Sequence, residues 1–264
     1  MIDSHVHNRD AWDAESRSGS SPWCQPVDES TIEKARNGHW KVILTPNQRV
    51  PLSWFDGVAG KRVLCLASGG GQQAPVLAAA GARVTSFDIS REQLAKDELV
   101  ATRDGLDIEI VQGDMTDLSC FEAERFDLVF HPVSNVFCSD VRVVWRECHR
   151  VLAVGGRLLA GFMNPAYFLF DHDSLEAGEP LLVRNRLPFA EAADLPPTGL
   201  KQRLDEQMAL EFSHSLNDQI GGQLDAGFVI AGFYEDGWTD EASRLNPYMP
   251  IFMATLALKN RRYA

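Results

Sequence analysis

One stretch, Arg62 to Ser90 (RVLCLASGGGQQAPVLAAAGARVTSFDIS), limits most of what this chain can fold into. It opens on Val63-Leu64-Cys65-Leu66-Ala67, an unbroken apolar run of the length of a strand buried on both faces. Gly69, Gly70 and Gly71 follow. Gln73 to Ala80 is alanine-rich and helical in composition, and Gly81 suits its C-cap. Arg83 to Phe87 then predicts a second strand with Asp88 at its C-terminal tip. Glycines let the backbone turn sharply and approach a ligand closely. The helix that starts there aims unpaired N–H groups and its positive dipole end at the same place. An acid at the tip of the second strand can accept hydrogen bonds from both hydroxyls of a ribose. A strand, a glycine turn, a helix and an acid-tipped strand together predict an adenosine-containing ligand.

Two cofactor classes use this device. Gly69-x-Gly71-x-x-Ala74 satisfies the dinucleotide fingerprint in its alanine-ended form. In the other reading, VLCLASGGG resembles motif I of the class I S-adenosylmethionine-dependent methyltransferases, whose usual form is V-L-D-L-G-C-G-T-G. The downstream blocks favour the second. Arg91 to Arg103 predicts a helix with Ser90 as N-cap, and Asp107 to Val111 a third strand. Gly113-Asp114-Met115 comes next; in the family an acid here accepts from the adenine amino group and the following apolar residue lies against the ring. Phe126 to Phe130 contains FDLV, typical of the family's fourth strand. After a helix over Val141 to Leu152, the block Leu152 to Leu159 resembles L-x-P-G-G-x-L-x, with Val154 in place of the proline. His214 to Asp236 matches the late helix and sixth strand, and Tyr248 to Leu258 the antiparallel seventh.

The resemblance is close over Arg62 to Met163 and looks nearest to the small-molecule branch that includes quinone-biosynthesis methyltransferases. It implies an α/β fold: a Rossmann-like, seven-stranded, mostly parallel sheet with an antiparallel last strand and helices on both faces. It implies S-adenosylmethionine as cofactor, held by Ala67, Ser68, Gly69, Gly70, Gly71, Gln73, Asp88, Ile89, Asp114, Met115 and His131, and in-line attack by a substrate atom on the sulfonium methyl. His131 opens the loop HPVSN after the fourth strand, where open α/β folds bind ligands, and imidazole titrates near neutrality. It is the candidate base, with backbone contact to the cofactor as its other role; Asn135 could orient a substrate. HPVSN is not the N-P-P-Y loop of nucleic-acid amino-group methyltransferases.

Two letters depart from the motif. Cys65 stands where the acid is usual and Ala67 where the first glycine is usual, which bears on contacts to the cofactor's amino end. Gln72 and Gln73 either touch the methionine portion or begin the helix. Cys65 also motivates a rival, an adenosine-cofactor-binding protein without transferase activity; the glycine fingerprint motivates another, an NAD-dependent oxidoreductase.

The segment 1–60 lacks the periodicity of an independent domain and is expected to cover the ligand or to pack on the sheet. It offers Trp12, Trp23, Trp40 and Trp54 for either task, a short helix over Asn8 to Ser16, a helix over Asp28 to Asn37, a short strand over Lys41 to Leu44, and His5 and His7 in a mobile end. The catalytic domain is expected over 61–264, with a lid insertion over 165–212 that includes a strand in LLVRNRLPF and another near MALEFSH. Tyr167, Phe168, Phe170, His172 and Arg184 are candidates to line that lid, and their mixture suits a small, partly apolar substrate.

The net charge of −12 argues against nucleic acid or an anionic membrane as partner. No apolar run reaches the roughly 20 residues a bilayer span needs, and the polar start MIDSHVHNRD is not a secretory signal. Five cysteines without a C-x-x-C pair argue against a disulfide framework or a zinc site and fit a cytoplasmic protein with no metal. The expected unit is a monomer or homodimer.

Overall fold

The computed structural model describes residues 3–239 and 242–260. Its centre is a seven-stranded sheet of β1 (Arg62–Leu66), β2 (Arg83–Asp88), β3 (Ile108–Gln112), β4 (Phe126–His131), β5 (Leu152–Met163), β6 (Phe228–Asp236) and β7 (Phe252–Lys259). The strands lie in the order β3-β2-β1-β4-β5-β7-β6. β7 runs antiparallel to both β5 and β6, while β1 to β5 pair parallel. This is the sheet the resemblance implied. Alternate β1 side chains feed opposite cores: Val63 and Cys65 join one cluster, Leu64 and Leu66 the other. That explains why β1 reads as a continuous apolar run.

The helices are α1 (Ser4–Ser18), α2 (Glu29–Arg36), α3 (Gln73–Ala79), α4 (Arg91–Asp104), α5 (Val141–Val151), α6 (His172–Glu176), α7 (Glu191–Asp194), α8 (Pro197–Asp205) and α9 (Gly222–Asp225). Ile32 of α2 and Leu77 of α3 pack on one face of the sheet, Val144 and Trp145 of α5 on the other. The chain leaves β1 toward β2 and β3, then returns to build β4 and β5 on the opposite side. The order reverses between β1 and β4, and a crevice opens at the C-terminal ends of strands at such a switch point.

Several local expectations are corrected. α1 begins well before Asn8 because the Asp3 side chain caps it, accepting from the N–H groups of His5 and Val6. His5 and His7 are therefore helical and anchored. Lys41 to Leu44 makes only an isolated bridge, Ile43 to Arg49. LLVRNRLPF forms no strand: Leu182 and Val183 are exposed, no sheet edge lies beside them, and only Ala190 bridges to Phe212, the sole pairing near MALEFSH. The late helix is cut into a π-turn over Asn217–Gly221 and the short α9. Trp145 Nε1–H donates to the Asp218 carbonyl at 3.0 Å, and a Cβ on Gly222 would meet the Trp145 ring at 2.8 Å. That close seat on the tryptophan distorts the turn.

The N-terminal segment is built into the switch point. Gly161 of β5 has no room for a side chain, since a Cβ would lie 2.3 Å from the Leu44 carbonyl. That carbonyl accepts from Val133 N–H, 3.0 Å away in the loop after β4.

Candidate functional site

A cavity of about 280 Å³ fills the crevice. The tips of β1 and β2, the turn after β3 and the loop after β4 supply one part of its wall; α1, the Trp23 turn, the Ile43–Pro46 segment, Tyr167, Glu211 and Trp238 supply the rest. Of the residues expected at the cofactor, Ala67, Ser68, Gly69, Gln73, Asp88, Ile89, Asp114 and Met115 all line it.

Both acids stand in its wall. Asp88 accepts from Gly69 N–H at 3.0 Å through one carboxylate oxygen and from Ser90 N–H at 2.9 Å through the other. Burial raises its pKa to about 6, the backbone N–H donors from Ser90 and Gly69 opposing that rise. Asp114 folds one oxygen back onto Thr116, accepting from its N–H and its hydroxyl, each at 2.7 Å. Its other oxygen meets His5 Nδ1 from α1. The N-terminal helix thus reaches the acid after β3, a contact no local pattern in MIDSHVHNRD announces.

The glycine turn is held differently from the sequence expectation. Gly69 N–H goes to Asp88, Gly70 N–H to the Gln93 carbonyl at 3.0 Å, and Gly71 N–H to Asp97 Oδ1 at 2.8 Å. All three donors point into the protein. Gly70 and Gly71 do not line the cavity; Trp23 and Pro26 press on them, and a Cβ on Gly70 would sit 2.3 Å from the Trp23 carbonyl. A turn whose amides are spent internally offers no cradle for a pyrophosphate, which removes the chemical basis of the dinucleotide reading. What faces the cavity instead suits an uncharged nucleoside and its tail. Ser68 Oγ and Gln93 Oε1 are buried in its wall with no partner among the described residues. Such orphaned polar atoms are costly unless a ligand meets them. Ala67 carries φ of 47°, which shows why a glycine is usual there.

Gln72 and Gln73 both hold the N-terminal segment. Gln72 Nε2 donates to the Pro22 and Gln25 carbonyls at 2.6 and 2.9 Å, and Gln73 Oε1 accepts from Ile43 N–H at 3.1 Å. Trp12 and Trp23 line the cavity, whereas Trp40 packs on Phe55 and Trp54 on Tyr234.

His131 and Asn135, expected at the reacting edge, lie behind it. His131 is fully buried against Trp145, its Nδ1–H donates to the Leu66 carbonyl at 3.0 Å, and Nε2 has no partner. Burial lowers its pKa to about 4. It is a neutral core histidine, and neither its ring nor its backbone reaches the cavity. Asn135 is buried too, its amide exchanging hydrogen bonds with Gln219. The loop lines the cavity with Pro132, Val133, Ser134 and Val136 instead. Of the five lid candidates only Tyr167 lines it; Phe168, Phe170 and His172 pack elsewhere and exposed Arg184 pairs with Glu179. Phe137, Met163, Glu211, Trp238 and Phe252 also line it. They are far apart in the chain, and only the fold collects them.

A family model described as a methyltransferase domain matches residues 64–160, the span from β1 to the middle of β5. An uncharacterized methyltransferase of Bacillus subtilis (strain 168), YbaJ, is 48% identical over 256 residues, covering 96% of this chain and 98% of that one. The chain belongs to the class I S-adenosylmethionine-dependent methyltransferases. S-adenosylmethionine is its cofactor. The expected quinone-type likeness is present as well: the methyltransferase is 32% identical over 124 residues to a ubiquinone biosynthesis O-methyltransferase of Pseudomonas syringae pv. tomato, covering 45% of this chain and 53% of that one. The fold of the methyltransferase matches, at a TM-score of 0.58 and 15% identity, that of a Burkholderia thailandensis 1,6-didemethyltoxoflavin-N1-methyltransferase with bound 1,6-didemethyltoxoflavin and S-adenosylhomocysteine. That match covers 98% of this chain and 92% of the other.

Proposed function

We propose that this methyltransferase acts on a small, flat, largely apolar acceptor. In this reading Asp88 takes the ribose hydroxyls and Asp114 the adenine amino group, with Ile89 and Met115 beside the ring. Ala67, Ser68, Gly69 and Gln73 lie along the tail, and Gln93 joins them. When bound, S-adenosylmethionine supplies an electrophilic methyl: the acceptor's lone pair forms the new bond to carbon as the S–C bond breaks and its electron pair stays on sulfur. The chain's own part is alignment and exclusion of water. We assign the segment up to residue 60 as the cover, 61–264 as the catalytic domain and 165–212 as the lid. Gly70 and Gly71 shape the turn from behind, and His131 and Asn135 support the loop that faces the acceptor.

The observation that carries this reading is one cavity whose wall holds both strand-tip carboxylates, Asp88 and Asp114, together with Trp12, Phe137, Met163, Tyr167 and Phe252. Its wall comes from a single chain, so either a monomer or a homodimer suffices. The net charge of −12 disfavours nucleic acid, and among the described residues no helix is long and apolar enough to cross a membrane. All five cysteines are unpaired, which suits a reducing cytoplasm.

Calorimetric titration with S-adenosylhomocysteine and NADH tests the cofactor end. The wild type should bind the first and not the second. Asp88→Ala should weaken binding at least tenfold, about 1.4 kcal/mol, the size of one lost charge-assisted contact. Binding by wild type should weaken as pH falls through about 6, where Asp88 takes up its proton. Equal affinity in Asp88→Ala and wild type would remove Asp88 from the site.

A further inference from the structure

Besides Asp88 and Asp114 the cavity wall holds a third carboxyl, Glu211, along with the aromatic and apolar groups of Val136, Phe137, Met163, Tyr167 and Phe252. The Glu211 backbone is pinned from every side. Leu210 N–H donates to Asn8 of α1 at 2.7 Å, Glu211 N–H to the Glu191 carboxylate at 3.0 Å, and Phe212 N–H to the Val136 carbonyl at 2.7 Å. The last bond clamps Glu211 beside the loop that leaves β4, the edge where α/β folds present their reacting groups. Its carboxyl, by contrast, has no hydrogen-bond partner among the described residues. The nearby cation is already committed: Arg203 bonds Glu191 at 3.0 Å and Asp173 at 2.9 Å. The Tyr167 hydroxyl, also in the cavity wall, has no partner among the described residues either, and burial, with the Glu211 charge adding, raises its pKa.

A pinned, unpartnered carboxyl in such a wall is expensive unless its ligand completes it. We propose that Glu211 accepts the proton of the acceptor atom, and that the acceptor is therefore an aromatic O–H or ring N–H compound. This rests on the functional reading above. The acceptor oxygen or nitrogen gains the methyl and loses its proton. The proton passes to the Glu211 carboxylate and then to water as product leaves, so the products are methylated acceptor, S-adenosylhomocysteine and one proton.

The electrostatics agree. Burial, with the Glu191 charge adding and Arg203 opposing, raises the Glu211 pKa to about 8. A base in that range is well matched to a weakly acidic O–H or N–H, and a cation in the cavity favours its ionised form. The groups that face Glu211 are Glu191, Arg203 and Tyr167.

The test uses the full chain, wild type and Glu211→Gln. Each is titrated with S-adenosylhomocysteine. Saturated with it, each is then titrated with catechol and benzimidazole, and with veratrole and N-methylbenzimidazole as counterparts lacking the proton. Methyl transfer from labelled S-adenosylmethionine to the first two is followed from pH 6 to 9. The proposal expects S-adenosylhomocysteine affinities within threefold of each other. It expects wild type to bind a proton-bearing probe at least tenfold more tightly than its blocked counterpart, with a rate that climbs as pH rises through the Glu211 pKa. In Glu211→Gln kcat should fall at least a hundredfold, KM should stay within threefold, and the climb should vanish. Turnover of Glu211→Gln within threefold of wild type on an unchanged pH profile would overturn it. So would a wild type that does not distinguish the probes from their counterparts, or takes none. Failure of wild type to bind S-adenosylhomocysteine would instead sink the assignment of the cofactor end, and this proposal with it.

Discussion

Cys65 occupies the position where the family's motif carries a carboxylate, and the structure shows a carboxylate supplied from elsewhere. Asp97 of α4 accepts from Gly71 N–H at 2.8 Å and from Ser86 Oγ–H at 2.6 Å, and its charge bears on the Cys65 thiol, whose pKa burial raises far above the usual value. In this chain a carboxylate on a neighbouring helix holds the glycine turn. Asp97→Ala leaves a buried Gly71 N–H unsatisfied and should cost about 1–3 kcal/mol of stability and weaken S-adenosylhomocysteine binding. Cys65→Asp alone should also destabilise, because it buries a second carboxyl beside Asp97. Combined, Cys65→Asp/Asp97→Ala should recover at least half of the loss in both melting temperature and affinity. Strictly additive losses would show that the two positions do not exchange this role. Asp88 and Asp114 were legible because strand tips place them, whereas Asp97 reads as one of several acids on a solvated helix. His131 was legible as a titratable group at the right edge, but the Trp145 ring that buries it is carried by α5.

At the scale of elements, strands buried on both faces were readable and segments that depend on a neighbour were not. β1 is a continuous apolar run and β4 keeps one over Leu128 to Phe130, and the two sit side by side near the middle of the sheet. LLVRNRLPF is as apolar in places, yet without an edge to pair with it stays irregular. The N-terminal segment is the clearest example of an element fixed from outside itself. Asn8 donates to the Phe137 and Leu210 carbonyls, both at 2.9 Å, and the Trp23 turn lies on Gly70. No periodicity within residues 3–27 encodes those contacts. Gly70 has φ of 114° as well as the Trp23 carbonyl against it, so Gly70→Ala must displace one of the two. The expected result is at least tenfold weaker S-adenosylhomocysteine binding. Hydrogen exchange should quicken across residues 3–27, with protection of β1, β4 and β5 kept. Faster exchange throughout the sheet would mean that the turn, not the N-terminal segment, had failed.

For the whole molecule, the site leaves a signature in how stability depends on pH. Burial raises three wall or turn carboxyls, Asp88 to about 6, Asp97 to about 7 and Glu211 to about 8. Each is more readily protonated in the folded chain than in the unfolded one, so each withdraws stability as pH rises from about 4 through its own value. Buried His131 and His172, both lowered to about 4, act in the opposite sense and add stability as pH rises from about 4 to 6.5. The two sets oppose one another below 6.5. Above it the histidines are neutral in both states, and the carboxyls act alone. Melting temperature should therefore be nearly level from pH 5 to 6.5 and then fall by roughly 5 °C by pH 8.5, for a loss on the order of 2 kcal/mol. Glu211→Gln removes a contribution that falls from about pH 4.5 to 8, so it should flatten the descent above pH 7 and tilt the region below it upward. An Asp88→Asn control should tilt only the region below about 6 upward with pH and leave the descent above 7 as in wild type. A melting curve that keeps rising to pH 8.5, or one that Glu211→Gln does not alter, would show that this carboxyl is already ionised and solvated in the folded protein.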